Sequence, residues 1–281
     1  QELGMNYLYS EGWNRYNGYA SVGTDNKAYQ KVTSVGAYTK NKINDRWNSK
    51  FQLGQTVDDS INYANNALLY SYKTAQDQFI WQNDVVIAEG LALLGYEKLN
   101  QKVGGSSANY TVNARSIDSL IAGWVKSSDQ HQLQINGRRD QNSQYGAKST
   151  GILGYAYRLT PEWRIKSSAG TAFKVPTFND LYFPMTDGYY GNPKLLPESS
   201  INREVGIQWD QQDQHFSLIH YVNSVNNLIQ WGQFFSPKNI ASANINGWTA
   251  SYKGQYAGYR WGSSLDVQNP KDNTTQTTLI Y

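Results

Sequence analysis

Three histidines, His131, His215 and His220, are the side chains best suited to metal binding or proton transfer near neutral pH in this chain of 281 residues. They are scattered. His131 and His215 stand where short turns lead into strand-like segments, and no H-x-x-x-H or paired metal spacing occurs. Asp58-Asp59 is an acidic pair, but neighbours in an extended segment point to opposite faces. Glycoside hydrolysis needs two carboxylates that converge across a gap of about 5–9 Å. Cysteine is absent, which excludes thiol catalysis and disulfides. No G-x-S-x-G, Walker loop or dinucleotide-binding glycine pattern is present. What remains is aromatic. Tyr145, Phe183, Tyr189, Tyr190, Phe234 and Phe235 fall in long connections. Gathered at one mouth, they would offer a large planar ligand apolar burial and stacking, about 0.5–1.5 kcal/mol per ring beyond area. The alternative is that they pack loop against loop or sit at a membrane interface.

The elements that must position these rings are strands. The chain holds 22 Tyr, 9 Trp and 24 Gly, and charged residues are only 17%. Asn, Gln, Ser and Thr fill the deficit; with Tyr they suit strands with one wet face better than helices. Alternation of period two recurs. In HQLQINGRR, Leu133, Ile135 and Gly137 face one way, and Gln132, Gln134, Asn136 and Arg138 the other. In INREVGIQW, Ile201, Val205, Ile207 and Trp209 oppose Asn202, Glu204, Gly206 and Gln208, with Arg203 a misfit on the apolar side.

Connections alternate in length. Short ones fall at 41–46, 88–90, 127–130, 160–162, 210–214 and 254–258; long ones fall at roughly 57–75, 100–112, 139–147, 174–199, 232–238 and 270–275. That is an antiparallel up-and-down meander with its tight turns at one end. About 14 strands of about 9–13 residues result, against five or six in ordinary strands and 9–11 for a tilted bilayer crossing. Trp47, Trp163, Trp209, Tyr259 and Trp261 lie near strand ends, as in aromatic girdles. The pattern favours an all-β transmembrane barrel over a soluble β-sandwich or propeller. No apolar run of 18 residues occurs, and a net charge of +3 gives no argument for a nucleic-acid partner.

GTAFKVPTFNDLY (Gly170–Tyr182) followed by YYGNPKLLPE (Tyr189–Glu198) makes the reading specific. The pair resembles two motifs of TonB-dependent outer-membrane receptors: F-K-A-P-x-x-x-x-L-Y, with Val175 for Ala, and G-N-P-x-L-x-P-E. RRDQNSQYG (Arg138–Gly146), YVNSVNNLIQW (Tyr221–Trp231) and NIASANINGWTASY (Asn239–Tyr252) are similar to further segments of the same barrels, with Trp248 where the family usually has Glu. The order of segments is most similar to that of the cobalamin (vitamin B12) receptors, strongly over 76–281 and faintly over 1–75. Pro176, Pro193 and Pro197 bias the path toward extended backbone, and Glu198 is expected to pair with Arg203. These residues read as a structural brace more than as ligand contacts.

The resemblance implies a receptor importing cobalamin, a siderophore or a similar large ligand, with long loops outside and short turns in the periplasm. It implies energy from a TonB-type coupling protein, outer-membrane lipid around the wall, no catalysis and no cofactor. Family members carry an N-terminal plug and about 22 strands, so residues 1–281 are expected to form one partial barrel domain without plug or final strands. The chain opens directly in patterned sequence and stops inside an apparent strand, as an excised piece would. Calcium ordering the outer loops, also implied by the resemblance, has Asp58 and Asp59 on the first long connection as its nearby carboxylates, among amides rather than the oxygen-rich set calcium takes. A passive porin, a surface adhesin barrel and a soluble carbohydrate-active enzyme stand as alternatives.

Overall fold

In the computed structural model, the described residues are 1–16, 24–105, 110–184, 188–231, 235–239 and 242–278. Among them, thirteen strands form one antiparallel sheet. They are β1 (Glu2–Tyr16), β2 (Asn26–Asn44), β3 (Trp47–Ala64), β4 (Ala67–Ile87), β5 (Gly90–Gly104), β6 (Ala114–Ser127), β7 (His131–Asn142), β8 (Gly146–Arg158), β9 (Trp163–Lys174), β10 (Glu198–Gln211), β11 (Gln214–Asn226), β14 (Ser242–Tyr256) and β15 (Tyr259–Asp272). Each strand pairs with its neighbour in sequence, except that β11 pairs with β14 across a small hairpin of β12 (Ile229–Trp231) and β13 (Pro237–Asn239). The single helix among the described residues, α1 (Phe178–Tyr182), lies between β9 and β10.

Register separates the two faces, because directly paired residues share a side. Leu94, Ala122, Gly137 and Gly151 line up across β5 to β8, as do Leu153 and Ala169 across β8 and β9. Ile165 and Ile207 are likewise paired with Tyr157 and Leu218. This is the apolar, outward face. The other face carries Gln134, Arg138 and Asp140, Ser168 and Glu204. There Arg138 binds Glu97 and Asp140, each at 2.7 Å, and donates to Ser119 Oγ at 2.7 Å. Arg203 sits outward between Ala169 and Val222, as its misfit in the alternation requires.

The outward face turns polar at a common level. From Gly90 to Lys98, His131 to Arg139, and Gln211 to Arg203 is about eight residues, or about 26 Å of strand. That matches an apolar band about 25 Å tall. At its lower edge, Trp163 and Trp209 approach to 6.4 Å at the short-turn end, where Trp261 and Tyr259 are also exposed. Trp47 donates to Asn83 at 2.9 Å and Trp81 to Ser49 at 3.1 Å, so indoles cover the polar groups that interrupt the band.

Several expectations about the elements are corrected. The strands of the thirteen-stranded sheet run 12 to 21 residues, most of them longer than the expected span of about 9–13. Residues 57–75 are not a connection: β3 and β4 continue through them to a two-residue turn at Asn65-Asn66, both with positive φ. Residues 139–147 hold only a three-residue turn between β7 and β8. The cause is physical. Beyond the bilayer both faces of a strand are wet, so its composition becomes that of a loop. Asp58 and Asp59 therefore stand on β3, on opposite faces, with Asp59 directly across from Lys31 and Lys73.

Candidate ligand-binding mouth

The β9–β10 connection builds a densely bonded feature at the long-connection end. Its helix starts with a reciprocal cap: Asp180 N donates to Thr177 Oγ1 at 3.0 Å, and Thr177 N donates to Asp180 Oδ2 at 2.8 Å. Five residues cannot hold a helix alone, and neighbours clamp it. Phe178, Leu181, Pro176 and Leu195 are buried. Phe178 joins Val103 and Tyr110 in a small core flanked by Tyr182. Arg115, from β6, lies 4.7 Å from the Phe178 ring, donates to Pro176 O at 2.8 Å and to Gln101 Oε1 at 2.6 Å. Tyr110 donates to Asn179 Oδ1 at 2.6 Å.

The returning limb satisfies the helix end. Gly191 N donates to Phe183 O at 2.9 Å and Asn192 N to Asp180 O at 2.7 Å. Gly191 has no room for a side chain: a Cβ there would lie 2.6 Å from the backbone of Leu181, Tyr182 and Phe183. Asn192 Nδ2 reaches Pro237 O at 3.0 Å, and Asn239 exchanges bonds with the backbone of Leu196 at 2.8 and 2.9 Å. Glu198, nearly buried, accepts from Ile229 N at 2.8 Å and pairs with Lys174 at 3.3 Å. The expected Glu198–Arg203 pair does not form, because residues five apart on a strand face opposite sides.

The predicted aromatics divide into two groups. Tyr145 and Phe183 belong to the brace. Tyr145 OH donates to Leu195 O at 3.2 Å, and desolvation pushes this phenol up to about 12, as it does Tyr110. Phe183 lies 6.4 Å from Tyr72. Tyr189, Tyr190 and Phe235 are exposed, and Tyr189 meets Phe235 edge-on at 4.6 Å. Phe234 lies outside the described residues. Trp231 completes the exposed group at 6.4 Å from Tyr189 and escaped notice because it ends a strand-like motif. Arg115 escaped too, since nothing in sequence links β6 to residue 176. Tyr190 N donates to Phe235 O at 3.1 Å, which ties the two loops together.

The histidines do not converge. His131 Nδ1 is 2.7 Å from Tyr155 OH, His215 Nδ1 is 2.7 Å from Asp210, and the His220 ring lies 4.7 Å from Trp248. Among the described residues no three His, Cys, Asp or Glu side chains are grouped to hold a metal. What the described part of the mouth offers is a bonded base carrying exposed rings, a surface suited to binding.

Comparison with known proteins agrees with this architecture. A family model described as TonB dependent receptor-like, beta-barrel, matches residues 2–280. The vitamin B12 transporter BtuB of Photobacterium profundum is 30% identical over 251 residues, covering 84% of this chain and 40% of that protein. BtuB of Vibrio vulnificus is 28% identical over 216 residues, covering 74% and 35%. The chain thus spans about two fifths of the length of the curated relatives it matches. Among solved structures, a mutant of the ferric enterobactin receptor PfeA from Pseudomonas aeruginosa gives a TM-score of 0.74 at 17% identity, covering 90% of this chain and 45% of that one. The copper transporter OprC gives 0.75 at 13%, covering 99% and 51%. At such identities the likeness is one of fold. With the family model matched almost end to end on thirteen strands that are apolar outside and polar within, the chain belongs to the TonB-dependent receptor β-barrel family of the Gram-negative outer membrane.

Proposed function

We propose that this chain is the wall and mouth of an active-transport receptor that imports cobalamin, driven by a TonB-type protein acting on the receptor's plug. The supporting observation is the likeness by sequence: proteins 28–30% identical over most of the chain are named vitamin B12 transporters. The mouth fits the reading. Tyr189, Trp231 and Phe235 give a cluster of exposed rings, and the bond from Tyr190 N to Phe235 O ties together the two loops that carry them. A corrin ring presents broad apolar faces, so rings held in place gain affinity by avoiding ordering costs.

The test is equilibrium binding of cyanocobalamin to the full-length receptor in detergent. Saturable binding is expected, and Trp231→Ala should weaken it about tenfold, the combined loss of stacking and buried area. Absence of cyanocobalamin binding together with uptake of a ferric siderophore would overturn the substrate assignment.

A further inference from the structure

The outward face of β3 to β8 is not evenly filled. A groove of about 840 Å³ runs along it, walled by Trp47, Trp81, Leu94 and Leu120. Its floor carries little side-chain volume because Ala122 and Gly137 are direct cross-strand partners, and Gly151 continues the row on β8. A Cβ added at Gly137 would meet no heavy atom within 4 Å, so the space above it is open. Such volume within the apolar band faces lipid tails, not water.

The groove ends at Arg139, which lies at the level where the outward face turns polar. Arg139 has Ser149 Oγ at 3.4 Å and makes no ion pair among the described residues. Nearby on the same face, Asp118 is engaged by Lys98 at 3.4 Å and by the Tyr96 hydroxyl at 2.5 Å. Arg139 therefore stands at the end of the groove without an acid partner, the nearby Asp118 being taken by Lys98 and Tyr96. A guanidinium presents a planar fork that fits phosphate oxygens.

We propose that this groove is a binding site for one phosphate-bearing lipid of the leaflet on the long-connection side. An acyl chain lies over Ala122 and Gly137 between the Trp81 and Leu120 walls, and the headgroup phosphate sits on Arg139. The occupant follows from two features together: a tail-shaped apolar volume in the bilayer zone, and an arginine with no acid partner at the height of the headgroups. The site is independent of the transported ligand.

The test uses native mass spectrometry of the full-length receptor after detergent exchange, with phosphatidylglycerol and diacylglycerol of matched chains as probes. Wild type is expected to retain one phosphatidylglycerol in preference to diacylglycerol. Arg139→Gln should reduce retention about fivefold, the worth of one interfacial cation to an anionic lipid, and Arg139→Lys should keep most of it. Gly137→Leu, which fills the floor, should expel both lipids. Arg203→Gln, at the same height but off the groove, should change nothing. Equal retention of the two lipids by wild type sinks the proposal, and that comparison needs no variant to fold. So does undiminished retention in Arg139→Gln, or an equal loss in Arg203→Gln, which would reveal only diffuse attraction to the polar rim.

Discussion

At the scale of single residues, the mouth depends on close fits more than on charge. Gly191 is the tightest. Its missing side chain lets the return limb lie on the end of α1, with backbone atoms 2.6 Å from where a Cβ would be. Gly191→Ala is expected to cost about 1–3 kcal/mol of local stability, the usual range for overpacking. Limited proteolysis of 183–197 in the full-length receptor reads this as faster cleavage with the barrel intact. Tyr145 and Tyr110 add a pH dependence. Both phenols are held neutral up to about 12 by burial, whereas exposed tyrosine ionises near 10. Their folded values are raised, so their contribution is complete below about pH 10 and is lost as pH climbs through about 12. Phenolate absorbance in an alkaline titration should show a late-ionising group of tyrosines that includes these two and the half-buried Tyr70, and Tyr145→Phe should remove one member of it. The chemistry at this scale was partly legible. The motif Pro, Lys and Glu residues read as a brace, because the prolines restrict the backbone around them. Arg115 and Trp231 did not, since their roles depend on what a distant strand brings beside them.

At the scale of elements, alternation revealed strand faces faithfully wherever lipid lay on one side. It misled above the bilayer, where SINYANN looked like a loop although Ser60 to Ala64 pair with both neighbouring strands and only Asn65-Asn66 turn. Turn chemistry shows why one tight turn was legible and another not. Ala88-Glu89 was visible as a short break between apolar runs, while Asn65-Asn66 was hidden in polar sequence. Both turns need positive φ at two non-glycine residues, 48° and 57° at Ala88 and Glu89. Alanine has no side-chain hydrogen bond to offset that conformation, as Asn has. Ala88→Gly should therefore stabilise the barrel by about 1 kcal/mol, measured by reversible denaturant unfolding of the full-length receptor in lipid vesicles.

At the scale of the whole molecule, the two faces answer to different solvents. Ile135 and Gln134 are adjacent on β7 and point oppositely. Ile135→Arg puts a charge in the apolar band and should cost about 2–4 kcal/mol in the same unfolding assay, while Gln134→Arg should cost close to nothing. Similar losses at both positions would mean that the outward face is not lipid-facing. The wall is also uneven in height. β3 runs from Trp47 to Ala64, with Asn65-Asn66 at its crest, whereas β7 ends at Asn142 and turns back within three residues. Measured from the short turns, the β3–β4 crest stands about 20 Å of strand higher. Among the described residues the rim is thus uneven, tall at the β3–β4 crest and low at the β7–β8 turn, where Gln144 and Tyr145 hold the β9–β10 connection. A bulky solute drifting down past that crest would be shielded on one flank before it reached the aromatic rings.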